Sequence, residues 1–323
     1  LVQLKRDRAQ QLCVAPPPDR LECAFESAMP SIMIGMDIAY MQLHRRATGG
    51  YCRPQGVTMN RRHFLYTGVA ASGILLGLSH ADAQIINLND AINKSGRQRM
   101  LSQRLAKSYL QIGQSIDLPR SQKIFGNSLA LFERQLMELQ TFAPTPDNKA
   151  ALADLGKTWE GYKKVLTASS PNPRDAKSIM QINEDVLALA QTATVQLEKI
   201  SGTATARLVN IAGRQRMLSQ RMAKFYQAFN WGVASPDALT NLAKARVEFV
   251  GVLAELSASP KNTPAITQEI ELAKLQWLFF DQALTVKPSD ADSKIRFADN
   301  VATTSERILD SMDRITGMYQ QLV

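Results

Sequence analysis

After residue 83 the chain contains neither cysteine nor histidine: Cys13, Cys23 and Cys52, and His44, His63 and His80, all precede that point in the 323 residues. This gap excludes most zinc, haem and copper sites, which draw on imidazole and thiolate. Ser-His and Cys-His nucleophile systems are excluded with them. Disulfides are impossible there too, so stability must come from a buried core, for which about 240 residues are ample. Paired carboxylates and nucleophile motifs are also missing, as is any cofactor signature, so the expectation is a non-enzyme without metal or cofactor.

Charge is present but mild. Residues 84–323 hold 29 Lys and Arg against 23 Asp and Glu, a net charge of +6. That balance suits a small anion or an acidic partner. Without a helix-turn-helix or an aromatic-basic pattern, nucleic acid is not expected as a partner.

No apolar run reaches the ~20 residues of a membrane span. The nearest approach, Tyr66 to Leu78, is interrupted by Gly68, Ser72, Gly73 and Gly77. It follows Met59-Asn60-Arg61-Arg62-His63-Phe64-Leu65 and precedes Ala81-Asp82-Ala83, the order of charge, apolar run and small-x-small site of a signal peptide. The paired arginines resemble a twin-arginine export signal. Residues 59–83 are therefore expected to direct export to the periplasm, with an uncleaved inner-membrane anchor as the alternative. Residues 1–58, which include Pro16-Pro17-Pro18 and lack periodicity, are expected to be an over-extended start.

The most informative feature is an internal repeat. Ile92 to Leu110 (INKSGRQRMLSQRLAKSYL) returns as Val209 to Gln227 (VNIAGRQRMLSQRMAKFYQ), with 13 of 19 positions identical at an offset of 117. The same offset relates Pro119 to Pro236, Phe132 to Phe249, Pro171 to Pro288 and Asn183 to Asn300. Between prolines and short polar clusters, apolar residues recur at three and four spacing. Helices are expected over 85–116, 120–142, 147–169 and 174–200, then 204–233, 237–257, 264–286 and 290–321. The fold class is all-α, two tandem antiparallel four-helix bundles covering 84–202 and 203–323. No proline lies between Pro173 and Pro236, so the bundles are further expected to share one continuous helix of ~90 Å, with Gly202 and Gly213 as points of bending.

A heptad placed on the repeated segment aligns Ile92, Ser95, Arg99, Ser102, Ala106 and Tyr109, and in the second copy Val209, Ala212, Arg216, Ser219, Ala223 and Tyr226. Arg99 and Arg216 thus fall amid small residues, namely Ser95, Gly96 and Ser102, and Ala212, Gly213 and Ser219, where a second helix can approach. A guanidinium there is costly unless something negative or carbonyl-rich meets it. Two readings stay open: a structural arginine pairing with a buried carboxylate or carbonyl, or a fork that takes a planar oxyanion. Arg97, Arg104, Arg214 and Arg221 lie off the stripe and are expected to be solvated or paired with acids of neighbouring helices.

The segment Ile92-Asn93-Lys94-Ser95-Gly96-Arg97-Gln98-Arg99-Met100-Leu101-Ser102-Gln103-Arg104-Leu105 resembles the signature of the PilJ/NarX-like domain, the periplasmic part of type IV pilus chemotaxis transducers and of nitrate/nitrite sensor kinases. The resemblance implies that first helices meet at a dimer interface, where paired arginines hold one nitrate. The arginine before Met in the signature corresponds to Arg99 and Arg216. Arg99, Arg216, Ser95, Gly96, Ser102, Gly213 and Ser219 are accordingly the expected ligand-binding set. Lys94 becomes Ile211 in the second copy, so a contact from that lysine exists on one side only. Neither the kinase nor the methyl-accepting region of the family follows.

Two functions are therefore expected to compete. One is an exported sensor or binding protein for a small anion, nitrate or nitrite, without its own output domain. It acts through a membrane receptor or sensor kinase and has the capacity to form a homodimer through the first helices. The other is a helical interaction accessory of a chemotaxis, pilus or sensor-kinase system that takes no small ligand.

Overall fold

The computed structural model describes residues 84–286 and 288–322, in which eight helices and no strand are found. The expected start site and signal peptide lie outside the described residues. The helices are α1 (Leu88–Gly113), α2 (Leu118–Phe142), α3 (Pro146–Thr167), α4 (Pro173–Ser201), α5 (Ala204–Trp231), α6 (Ala238–Ser257), α7 (Pro264–Thr285) and α8 (Ala291–Gln320). Their starts follow from capping. Asn87, Thr145, Asn172, Thr203, Thr263 and Asp290 each accept a backbone N–H in the first turn, satisfying a donor that the helix leaves free. Pro146, Pro173 and Pro264 open their helices, where a missing N–H costs nothing.

The continuous rod does not form. Gly202 takes φ 63°, ψ 6° at the end of α4, a left-handed cap that favours glycine, and Thr203 caps the next helix at once. The chain reverses there. Asn210 bonds Glu198, Arg214 bonds Gln191 and Lys224 bonds Asn183, so α4 and α5 run antiparallel.

Within each repeat the helices run up and down. Gln98 donates to the Phe132 carbonyl and Gln215 to that of Phe249, fixing α1 on α2 and α5 on α6 identically. The stacked pairs Phe132–Trp159 and Phe249–Trp277 fill the two cores, with ring centroids 3.8 and 4.5 Å apart.

The repeats join through α1 and α5, which lie parallel. Gln114 bonds the Gln227 carbonyl at one end, and Arg99 and Arg216 bond the Asn210 and Asn93 carbonyls at the other. Helices α4 and α8 flank this pair, each touching both repeats, so α1, α4, α5 and α8 form a central four-helix bundle that neither repeat makes alone. The hairpins α2–α3 and α6–α7 lie outside it. The face expected to serve a homodimer is filled by the chain's own second repeat.

Gly113 marks how closely α1 and α5 approach. A Cβ there would lie 2.1 Å from Cη2 of Trp231. Gly113→Ala is expected to lower stability by about 1–3 kcal/mol, despite the ~1 kcal/mol that alanine gains over glycine in a helix. Thermal unfolding measures the difference, and an increase in melting temperature would mean that Trp231 does not seat on Gly113.

The repeat does not keep one register. Offset 117 holds for α1 and α2, but the equivalent tryptophans and the N-caps Thr145 and Thr263 differ by 118. In the last helices the offset becomes 122: Lys224 bonds Asn183 and Glu184, whereas Lys107 bonds Ser305 and Glu306. The structural counterpart of Asn183 is therefore Ser305, not Asn300. The five extra residues enter before α8 reaches the centre, at the α6–α7 turn and around the start of α8.

Candidate functional site: paired arginines at the joint of the repeats

Arg99 and Arg216 are fully buried and point into the α1–α5 interface. They meet over the two glycines of the motif. A Cβ on Gly96 would lie 3.0 Å from Arg99 Nη2 and 3.6 Å from Arg216 Nη2, and one on Gly213 would lie 3.0 Å from Arg216 Nη2 and 3.7 Å from Arg99 Nη2. The absence of both side chains makes the room in which the two guanidinium groups stand side by side.

Two unit charges a few ångströms apart repel by ~3–4 kcal/mol at an effective dielectric of about 20. Carbonyls and amides supply part of the compensation. Arg99 donates to Asn210 Oδ1 at 2.8 Å, to the Asn210 carbonyl at 3.2 Å and to Gln191 Oε1 at 2.5 Å. Arg216 donates to the Asn93 carbonyl at 3.2 Å and forms an ion pair with Asp313. Nε of each arginine is buried without a hydrogen-bond partner.

The register shift hides an asymmetry. Gln191 and Asp313 occupy equivalent places, 122 residues apart, yet one is neutral and the other charged. Asp313 also receives Arg97 at 2.8 Å, while Arg214, the counterpart of Arg97, bonds Gln191 at 3.1 Å and pairs with Glu248 on α6. Arg216 therefore has a carboxylate in ion-pair contact, while Arg99 has only the more distant Glu198 and Glu248 acting on it. Burial, with Arg214 and Arg216 adding to it, lowers the Arg99 pKa to about 9. Burial also lowers that of Arg216, to about 10, with Asp313 opposing the change. Burial disfavours the Asp313 carboxylate, but Arg216 and Arg97 outweigh it and hold the group well below the usual range.

One to two turns further on, the same symmetry yields two ion triads that cross between repeats. Glu306 of α8 pairs with Arg104 and Lys107 of α1, and Glu184 of α4 pairs with Arg221 and Lys224 of α5. Both lysines are completely buried, and burial lowers each to about 8 against the pull of its glutamate. Burial disfavours the Glu306 carboxylate as well, but Lys107 and Arg104 prevail and bring it to about 2.

Of the seven residues expected at the site, Arg99, Arg216, Gly96 and Gly213 come together. Ser95 Oγ lies 2.8 Å from Thr194 Oγ1. Ser102 and Ser219 spend their hydroxyls on the Arg99 and Arg216 carbonyls one turn back, each at 2.8 Å. Lys94 forms ion pairs with Asp90 and Glu138 at 3.3 and 2.9 Å. Arg97, Arg104, Arg214 and Arg221 all pair with acids on neighbouring helices. Sequence reading missed Asn93, Asn210, Gln191 and Asp313. The two asparagines were visible as an identical pair inside the repeat, but Gln191 and Asp313 align only after the register change.

Fold and centre together define a duplicated helical-bundle module whose two halves share one buried basic site. The family model for the type IV pili methyl-accepting chemotaxis transducer N-terminal domain, PilJ, matches residues 82–193 and again residues 201–318. The chain belongs to that family and carries two sensory domains of the chemotaxis-transducer type. No curated protein and no solved structure matches it. Among the described residues no helix is long and apolar enough to cross a membrane.

Proposed function

We propose that the chain is an exported, non-catalytic binding protein that senses one small monovalent oxyanion, nitrate or nitrite, between Arg99 and Arg216, and passes the signal to a membrane receptor or sensor kinase. The observation that carries this reading is the charge imbalance at the joint: two fully buried guanidinium groups stand side by side with one carboxylate, Asp313, in ion-pair contact. A planar anion offers each fork oxygen acceptors and relieves the repulsion between them. Arg97, Arg99, Arg214 and Arg216 meet three carboxylates there, those of Asp313, Glu248 and Glu198, leaving about one positive charge for a guest. A divalent anion exceeds that requirement. Export rests on the Arg61-Arg62 signal ahead of residue 84.

The test is a thermal-shift series on the purified protein with nitrate, nitrite, chloride and sulfate. A melting temperature that rises with nitrate or nitrite, and less with sulfate, is expected. Asp313→Asn removes the internal competitor, so its anion-free form should melt lower, while nitrate should bind about tenfold tighter, ~1.4 kcal/mol. Failure of every anion to shift the wild type would overturn the reading and favour the interaction accessory.

A further inference from the structure

The two repeats share a fold and core but not an outer surface. With Phe132 and Phe249 equivalent on α2 and α6, and Trp159 and Trp277 on α3 and α7, each outer position of the second repeat has a known counterpart in the first. Glu133 corresponds to Val250, Lys157 to Leu275, Glu160 to Leu278 and Gly161 to Phe279. The first repeat thus shows that this hairpin folds with a largely polar outside, Met137 excepted. The second exposes Val247 to 76 %, Leu278 to 64 %, Phe279 to 62 % and Leu275 to 55 %. A groove of about 610 Å³ runs between the helices, lined by Val250, Leu253, Leu275, Trp277 and Leu278.

We infer that the α6–α7 face is a self-association surface, occupied by the same face of a second copy of this chain. Val247, Val250, Leu275, Leu278 and Phe279, each half or more exposed, make a patch on the order of 500 Å². That reaches the upper end of what a monomer leaves to water and approaches the ~800 Å² per partner of a stable dimer.

Charge selects the occupant. Within the groove Glu271 pairs with Lys274 at 2.7 Å, and on the same hairpin Arg246 of α6 pairs with Asp281 of α7. The surround carries both signs in balance, so a strongly basic or acidic partner gains no steering from it. An identical face brings matching apolar ridges, a complementary groove and a rim containing both signs. The surface lies on the outward side of the α6–α7 hairpin, outside the central bundle, so dimerisation here leaves the α1–α5 joint intact and presents two anion centres per assembly.

The experiment is light scattering and sedimentation of the full chain across the micromolar range, compared with a variant carrying the first repeat's own residues, Val250→Glu, Leu275→Lys and Leu278→Glu. The wild type is expected to pass from monomer to dimer with rising concentration. The triple variant, with unchanged helical circular dichroism, should remain monomeric, a loss of at least a hundredfold in affinity. The wild-type concentration dependence is informative even if the variant fails to fold. A wild type that is monomeric throughout overturns the inference, as does a dimer unaffected by the three substitutions. A monomer that instead floats with neutral phospholipid vesicles overturns it in favour of a lipid occupant.

Discussion

Glu306→Gln is expected to lower the unfolding free energy by about 3–5 kcal/mol, the usual result of stripping one partner from a buried ion pair. The change leaves Lys107, fully enclosed, and Arg104 with no carboxylate between them. For a chain of this size the loss corresponds to a fall in melting temperature on the order of 10 °C. The pH dependence gives a second signature. In the wild type the Glu306 carboxyl sits at about 2 rather than 4.5. Its contribution, ~3 kcal/mol for a shift of that size, is complete above pH 4.5 and disappears as pH falls toward 2. The glutamine variant should lose that acid limb. Both proteins should also gain stability as pH rises from about 8 toward 10.5, because Lys107 then folds neutral while the unfolded lysine is still charged. Melting curves from pH 2 to 10 measure both effects, and a variant that matches the wild type across that range would show that the triad does not hold the repeats together.

Arg99→Met should have the opposite effect on the anion-free protein. Methionine keeps much of the volume and removes a buried charge that has no ion-pair partner, whose burial is costly. The melting temperature is expected to hold or rise, while nitrate affinity falls at least a hundredfold, ~2.7 kcal/mol. Arg216→Met should abolish binding as thoroughly but melt lower than Arg99→Met, since it leaves Asp313 with Arg97 alone. Combining the two should weaken binding little beyond either single change, because both arginines act on one anion. Titration calorimetry distinguishes this from two independent sites, where each single variant would leave one site working. Unchanged affinity in all three variants would remove the arginines from the site without touching the fold.

Most of the fold was legible because local signals agreed. Prolines, short polar clusters and three-four periodicity place all eight helices to within a few residues, and the heptad stripe picks out Arg99 and Arg216 without any tertiary information. What escaped depended on distance. The turn at Gly202 was written in Ser201-Gly202-Thr203, a left-handed stop followed by an N-cap, but the lack of proline argued for a rod. The acids and the amide that meet the motif escaped for another reason. Glu306, Asp313 and Gln191 lie on final helices whose register slips by five residues between the copies, so a constant offset pairs Asn183 with Asn300 and conceals their roles.

Joining the halves at Gly202 and Thr203 makes the α1–α5 association unimolecular. The two basic forks meet at an effective concentration set by the tether, so dilution cannot dismantle the centre as it would between separate subunits. A substitution in a homodimer always enters on both sides of the axis; here it enters once. That freedom permits glutamine at 191 to face aspartate at 313, so that the half built around Arg99 and the half built around Arg216 can be tuned to different degrees of neutrality independently of each other.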